Sequence, residues 1–432
     1  MHMPWTARVL AGAGLLLATT TATAQTTPYE ELRAEAAVNS PAVRAAHEDW
    51  IAERARADAS GKLPDPRLTY GRFLQPVETR IGPQEHQLAL QQTVPWFGSL
   101  GRERAAVTSA ADAARARLHA TWLEVELELT RTLHELHRLD GTLAIERDAF
   151  ELLQQFEDVA QTRLRVNRST TADLLRLQVE LGRAEDRLRR LEDQRAPVVA
   201  RLNALLDRPR GTDVDITPPL RTWPALAPRD SLDLRLQRNH PSLRALQFEI
   251  ERQQRRTEIA RDRGRPDLTV GLVHTFVDER DVSDLDGNGD DATLATVSIN
   301  LPLWRGKIGA GVREAQRRRA AGESRVRRVR NELDAALAQA LYEFDDAERR
   351  AELYEDTLVP KADESLGATL DAYATGRADF GELIDVQRTV LTFQRELLEA
   401  RVDRANARAR VASLVPDPAA IRTALASLEE SR

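Results

Sequence analysis

The 432-residue chain has no cysteine, only two methionines, and aromatics at 5%. Without thiols there is no disulfide, no thiolate metal site, no cysteine nucleophile and no lipid attached at an amino-terminal Cys. Beyond its first residues the chain also lacks any run of the roughly 20 apolar residues that a membrane-spanning helix requires. Excess basic charge is missing as well: 62 Lys and Arg stand against 68 Asp and Glu, a net charge of −6, so nothing holds nucleic acid. Convergent Ser, His and Asp patterns, a zinc H-E-x-x-H and a phosphate-cradling glycine loop are all lacking. The chain is therefore expected to be no enzyme and to carry no metal or cofactor.

What is present is charge and helix-forming composition. Charged residues reach 30%, and Ala, Leu, Arg and Glu dominate, the mix of long helices with solvated faces. The first residues read as an export signal. His2 and Arg8 precede an apolar stretch from Val9 to Leu17, and Ala22, Thr23 and Ala24 form an A-x-A cleavage site. Residues 1–24 are expected to be a signal peptide, with the mature chain starting at Gln25.

The chain repeats itself. Asn39, Pro41, Arg44 and Ala45 recur as Asn239, Pro241, Arg244 and Ala245; Pro66, Leu68, Thr69 and Gly71 recur as Pro266, Leu268, Thr269 and Gly271. Later, Asn167, Arg168, Asp173, Leu174 and Gln178 face Gly376, Arg377, Glu382, Leu383 and Gln387. A 3-4 apolar spacing runs in both copies, from Leu174 to Leu205 and from Leu383 to Leu414. Even its polar interruption repeats, as Arg195 and Arg404. The register passes Pro197, where a local bend is expected.

Each copy is expected to hold a short helix (about 41–61 and 241–263), a strand, a polar loop and a second strand. A very long helical stretch follows (about 99–165 and 307–374), then a tight turn and a returning helix (about 170–207 and 379–414). The boundaries follow: a first repeat at 25–208 with strands near 66–74 and 85–95, a linker at 209–229, a second repeat at 230–415 with strands near 266–276 and 292–302, and a tail at 416–432. Gly306, Gly309 and Gly311 fit the turn into the second long stretch. In the clearest strand, Ala295, Val297, Ile299 and Leu301 share one face while Thr296, Ser298 and Asn300 share the other. Strands with one apolar and one polar face suit a membrane barrel. Four strands cannot close one, and open edges in lipid are forbidden, so the barrel must be shared between chains, with a trimer of twelve strands the natural closure. A small soluble sheet capping a coiled coil is the alternative.

With these features the chain resembles the TolC-like outer membrane factor family. The resemblance rests on "QQTVPWFGSLGRERAA" and "VSINLPLWRGKIGAGVREA" after the strands, and on the tips "RLRVNRSTTADLLRLQ" and "AYATGRADFGELIDVQ". It implies a mainly helical chain forming a homotrimer: a shared 12-stranded barrel in outer-membrane lipid, a trimeric α-barrel of long helical hairpins across the periplasm, and an equatorial belt that includes the linker. It also implies docking onto a periplasmic adaptor and an inner-membrane efflux transporter, often of the resistance-nodulation-division type. At the periplasmic gate, Glu382 and Asp385 would supply an acidic ring, with Asp173 and Tyr373 constraining the tips. Asn167, Arg168, Ser169, Gly376, Arg377 and Ala378 would be the adaptor-docking tips. Ala378 stands where the family has a basic gating partner, which leaves the familiar gating salt bridge without its cation; Asn167 replaces a glycine but tolerates the same left-handed backbone.

Two weaker patterns have plainer readings. Asp284, Asp286, Asn288, Gly289 and Asp290 open like a calcium loop, yet Ala295 occupies the closing acidic position, so a polar external loop is expected. His134 and His137 are expected on an ordinary exposed helix face. The leading function is a passive exit duct of a three-part efflux pump, and the alternative is a periplasmic coiled-coil adaptor or scaffold. Drugs, metal cations and secreted peptides all remain open as cargo.

Overall fold

The computed structural model describes residues 28–165, 170–214, 218–281 and 286–430. The expected signal peptide, Asn167, Arg168, Ser169 and Asp284 lie outside the described residues.

Each half opens with a helix pair broken at one residue. Helices α1 (Pro28–Asn39) and α2 (Pro41–Ala59) are separated by Ser40, and α5 (Arg229–Asn239) and α6 (Pro241–Asp262) by His240. In both, proline sits at the first helical position, where its missing N–H has no partner to lose and its fixed φ starts the next helix. The sequence reading found α2 and α6 but not α1 and α5, whose short apolar pattern is weak.

The strands are β1 (Arg67–Thr79), β2 (Gly82–Val94), β3 (Leu268–Val277) and β4 (Ala292–Ile299), in one antiparallel sheet of order β1-β2-β3-β4. Register pairs Leu68 with Leu90, Leu90 with Leu272, Val270 with Val297 and Leu268 with Ile299, so the apolar residues of all four strands share one face. That face is bare: Leu68, Tyr70, Leu90, Leu272, Val297 and Ile299 are each half or more exposed. The opposite face carries Thr69, Gly71, Gln87, Gln91, Thr93, Thr269, Gly271, Thr296 and Ser298, with Ala89, Val273 and Leu294 among its apolar members. It is crowded, since a Cβ on Gly271 would come 2.6 Å from Thr296 Oγ1 and 3.1 Å from Gln91. Such close approach is expected on the side toward which a sheet curls.

The first hairpin differs from the expected strand, loop and strand. Its strands are longer, and only Arg80 and Ile81 connect them, with a register shift between Arg72 and Val77 beside Pro76, which has no N–H to give a ladder. The polar loop is confined to the second hairpin, where Asn288 folds back: its Oδ1 accepts from Arg280 N at 2.8 Å and its Nδ2 donates to Arg280 O at 2.9 Å. No group of side chains able to hold a metal ion occurs among the described residues.

From the other end of the sheet the long helices leave. Helix α3 (Ser99–Arg165) has 67 residues, hence a length of about 100 Å at ~1.5 Å per residue. Helix α4 (Thr171–Leu205) returns beside it and continues through Pro197 as one helix. In the second half the expected single stretch 307–374 is instead α7 (Arg305–Leu353), a π-helical turn (Tyr354–Leu358) and α8 (Val359–Thr375). Pro360 explains the break: its ring clashes with the carbonyl four residues back, Asp356, and one wider turn relieves this. Gly306, Gly309 and Gly311 lie inside the first turns of α7 rather than before it. Helix α9 (Phe380–Leu414) then runs back, and α10 (Pro418–Glu430) replaces the expected tail.

The shared 3-4 spacing is the packing seam. Leu177, Ala184, Val198 and Leu202 on α4 and Leu383, Val390, Ala400, Ala407 and Val411 on α9 are buried, whereas the interrupting Arg404 is exposed. Apolar residues gather in three clusters: around Trp122 where α1, α2, α3, α4 and α10 meet, around Leu236 and Leu337 at α5, α6, α7 and α9, and at the helical tips. Between the Trp122 cluster and the tips, Glu146 of α3, 1% exposed, is held by Arg187 of α4 at 3.0 Å and Arg395 of α9 at 3.1 Å. His134 is not on an exposed face: it is buried, with Nδ1 2.8 Å from Asn406 Oδ1.

Candidate functional site at the helical tips

The tips farthest from the sheet bring together most of the sequence-derived site residues. The turn after α8 ends on Gly376, at φ 79° and ψ 18°, a left-handed conformation that glycine adopts without a Cβ clash. Its N–H donates to Tyr373 O at 3.0 Å, and Arg377 N donates to Ala372 O at 2.8 Å, closing the helix end. Asp379 starts α9: its Oδ1 accepts from Glu382 N at 2.8 Å. At the other tip Thr170 and Asp173 form a reciprocal capping box, Thr170 Oγ1 accepting from Asp173 N at 3.2 Å and Asp173 Oδ2 from Thr170 N at 3.0 Å. Asp173 thus shapes the start of α4.

Tyr373 is buried in the tip cluster with Leu153, Phe156, Leu177, Phe380 and Leu383. Its hydroxyl has no hydrogen-bond partner among the described residues. What holds it is Arg163 of α3, whose guanidinium lies 4.2 Å from the ring centroid and donates to Tyr373 O at 2.5 Å. Arg163 therefore ties the outgoing helix of the first repeat to the tip of the second. Ala378 is half-buried against the same apolar cluster, and Arg377 reaches only Thr375 Oγ1, at 3.0 Å.

Glu382 and Asp385 are both exposed, one turn apart on α9. Asp385 Oδ1 is 3.2 Å from Arg388 Nη1, and the other fork of Arg388 reaches Glu180 Oε1 of α4 at 2.6 Å. Glu180 also meets Arg183 at 3.0 Å, and its side chain is only 12% exposed. The Glu180 hydrogen bond, with the nearby Asp385 charge, holds the Arg388 guanidinium above its ordinary pKa. Glu180, Arg388 and Arg163 were missed in the sequence. Only the i, i+3 spacing of Asp385 and Arg388 was legible; the contact with Glu180 spans 208 positions. Beside this link, Leu175, Val179, Phe380 and Ile384 line an open groove of ≈ 660 Å³ between α4 and α9.

Among the described residues the tips bring together exposed carboxylates, two inter-repeat ties and a groove. Residues 234–415 match the profile of a family described as outer membrane efflux protein. The chain is 26% identical over 155 residues to the cobalt-zinc-cadmium resistance protein CzcC of Cupriavidus metallidurans; the match takes 35% of this chain and spans about a third, 34%, of that relative's length. The fold is that of the outer membrane protein VceC of Vibrio cholerae, with TM-score 0.73 at 17% identity over 90% of this chain and 96% of that one. It is equally that of the outer-membrane channel OprN, with TM-score 0.74 at 17% identity over 90% of each chain. Over residues 234–415 the chain is thus similar in sequence to the outer membrane efflux proteins, and over nine-tenths of its length it has the fold of outer-membrane channels.

Proposed function

We propose that the chain is one-third of a passive exit duct in the outer membrane, with its long helices reaching into the periplasm. The supporting observation is the open sheet: its apolar face is bare, and β1 and β4 each keep one unpaired edge. In lipid such edges cost several kcal/mol for each orphaned backbone group, whereas joining β4 of one copy to β1 of the next removes them all. Three copies give twelve strands, with the Thr and Gln face turned to water. Phe97 and Trp304, 80% and 77% exposed where strands pass into helices, suit the aromatic belt at the inner interface.

The tips act as the gate and dock a periplasmic adaptor and an inner-membrane transporter, which supplies the energy. Around a threefold axis, Glu382 and Asp385 form an acidic ring, and Arg388 with Glu180 takes the place of the tie that Ala378 cannot make. The likeness to a cobalt-zinc-cadmium resistance protein supports divalent metal cations as cargo, delivered by a pump of the resistance-nodulation-division type, and an acidic ring draws cations to the mouth. The test is reconstitution of the purified mature chain in planar bilayers. Discrete, long-lived conductance steps that divalent cations block from the tip side are expected; a chain that stays soluble without detergent and conducts nothing refutes the proposal. A strain lacking the chain should become more sensitive to cobalt, zinc and cadmium, and unchanged sensitivity removes that cargo.

A further inference from the structure

Where the two repeats join, α1, α3, segment 221–227, α5, the end of α9 and the start of α10 line a half-open cavity of ≈ 430 Å³. Leu123, Leu127, Leu226, Val411, Val415 and Ile421 make most of its wall apolar, while Arg33, Glu126, Arg221, Arg235, Arg408 and Asp417 supply the charges. A volume of this size with an apolar lining and few polar groups is typical of small-molecule sites.

The charges do not balance. Arg33 lies 2.6 Å from Glu126 and 3.4 Å from Glu30, and Arg221 lies 3.6 Å and 3.9 Å from the same two carboxylates. These four groups neutralise one another. Arg408 has no carboxylate within ion-pair distance among the described residues: it donates to Pro224 O at 3.0 Å and stacks 5.0 Å from the Trp223 centroid, whose ring Arg221 covers at 3.9 Å. Burial, and then repulsion from Arg221, lower its pKa from the usual arginine value. The wall's remaining carboxylate, Asp417, is already used to cap α10, accepting from Ala419 N at 2.9 Å.

We propose that this cavity binds a small amphipathic carboxylate, its apolar body among the leucines and its carboxylate on Arg408. Guanidinium and carboxylate match geometrically, and a partly buried pair is stronger than one fully at the surface. A bound ligand bridges segment 221–227, α9 and α10, and so stiffens the junction between repeats. The site lies apart from the helical tips.

Isothermal titration of the full mature chain in lipid nanodiscs, with hexanoate as probe and hexanol and acetate as controls, tests this. Hexanoate should bind at least roughly tenfold more tightly than either control, and Arg408→Gln should erase its advantage over hexanol. Ala412→Phe, which fills the cavity and leaves every charge in place, should abolish binding of both. Arg401→Gln, which removes a surface pair with Glu355, should change nothing. Equal affinity for hexanoate and hexanol, no heat from either, or hexanoate binding that survives Ala412→Phe overturns the proposal.

Discussion

At the scale of the residue, ties between the two repeats matter more than the acidic pair alone. Among the described residues Arg388 is the cation that touches both Asp385 and Glu180, so Arg388→Ala removes this tie of α9 to α4 at the tip and leaves Glu180 with Arg183. We expect a several-fold rise in open-channel probability in planar bilayers, with Glu180→Gln giving a smaller rise; a variant gating like the parent removes the pair from the gate. Replacing Glu382 and Asp385 together by alanine should weaken cation block and raise conductance, and unchanged block takes both off the gate. That Glu382 and Asp385 lie on one face at the start of α9 was readable from their i, i+3 spacing. Glu180 was not, because its partner is fixed by how two hairpins lie side by side, which no local pattern encodes.

His240 gives a residue-scale prediction of pH dependence. It caps α6 by accepting from Ser242 N–H at 3.3 Å, which requires an unprotonated Nδ1. Burial lowers its pKa from 6.5 to about 4. A base whose folded pKa is depressed contributes its full stability above the unfolded value. That contribution is lost as pH falls from 6.5 towards about 4, because the unfolded chain takes the proton first. The shift corresponds to a loss of about 3 kcal/mol over that window. His240→Asn keeps a capping oxygen without the titration, so its apparent melting temperature should fall less than the parent's between pH 7 and pH 4.5. Parallel falls contradict this reading of His240.

At the scale of the element, the seam between hairpins is apolar but pinned by one buried charge. Glu146 receives Arg187 from α4 and Arg395 from α9, binding three long helices at one level. Removing its carboxylate in Glu146→Ala leaves two partly exposed guanidiniums unpaired; with solvent screening the loss is about 1–3 kcal/mol. Denaturant unfolding followed by helical circular dichroism should show that loss, and a change under about 1 kcal/mol would mean the pairs are fully solvent-screened. The long helices were legible from heptad spacing over dozens of positions. Helix α10 was missed because residues 416–432 are too few to display a period, although Ile421, Leu425 and Leu428 bury against α1 and α3. The π-helical turn was missed because Pro360 sits inside an otherwise unbroken helical pattern, and periodicity does not report one extra residue in a turn.

At the scale of the whole molecule, alternation in four short segments was enough to identify a sheet with two dissimilar faces, and the register then aligned those faces across all four strands. What alternation does not contain is turn length: the two-residue connection at Arg80 and Ile81 extends the first hairpin well past its expected end. The proposed assembly rests on the two unpaired edges and is the claim on which exit duct, acidic ring and lipid-facing belt all depend.

The absence of cysteine makes that claim directly measurable. Thr69→Cys on β1, combined in turn with Ser298→Cys, Thr296→Cys or Leu294→Cys on β4, places single thiols on the same face of the two edges. Oxidation in native outer membranes should give, for at least one pair, a covalent ladder that ends at three chains, with each single variant staying a monomer on a denaturing gel. No crosslink from any pair, or a crosslink formed only within one chain, would contradict a barrel completed by neighbouring copies.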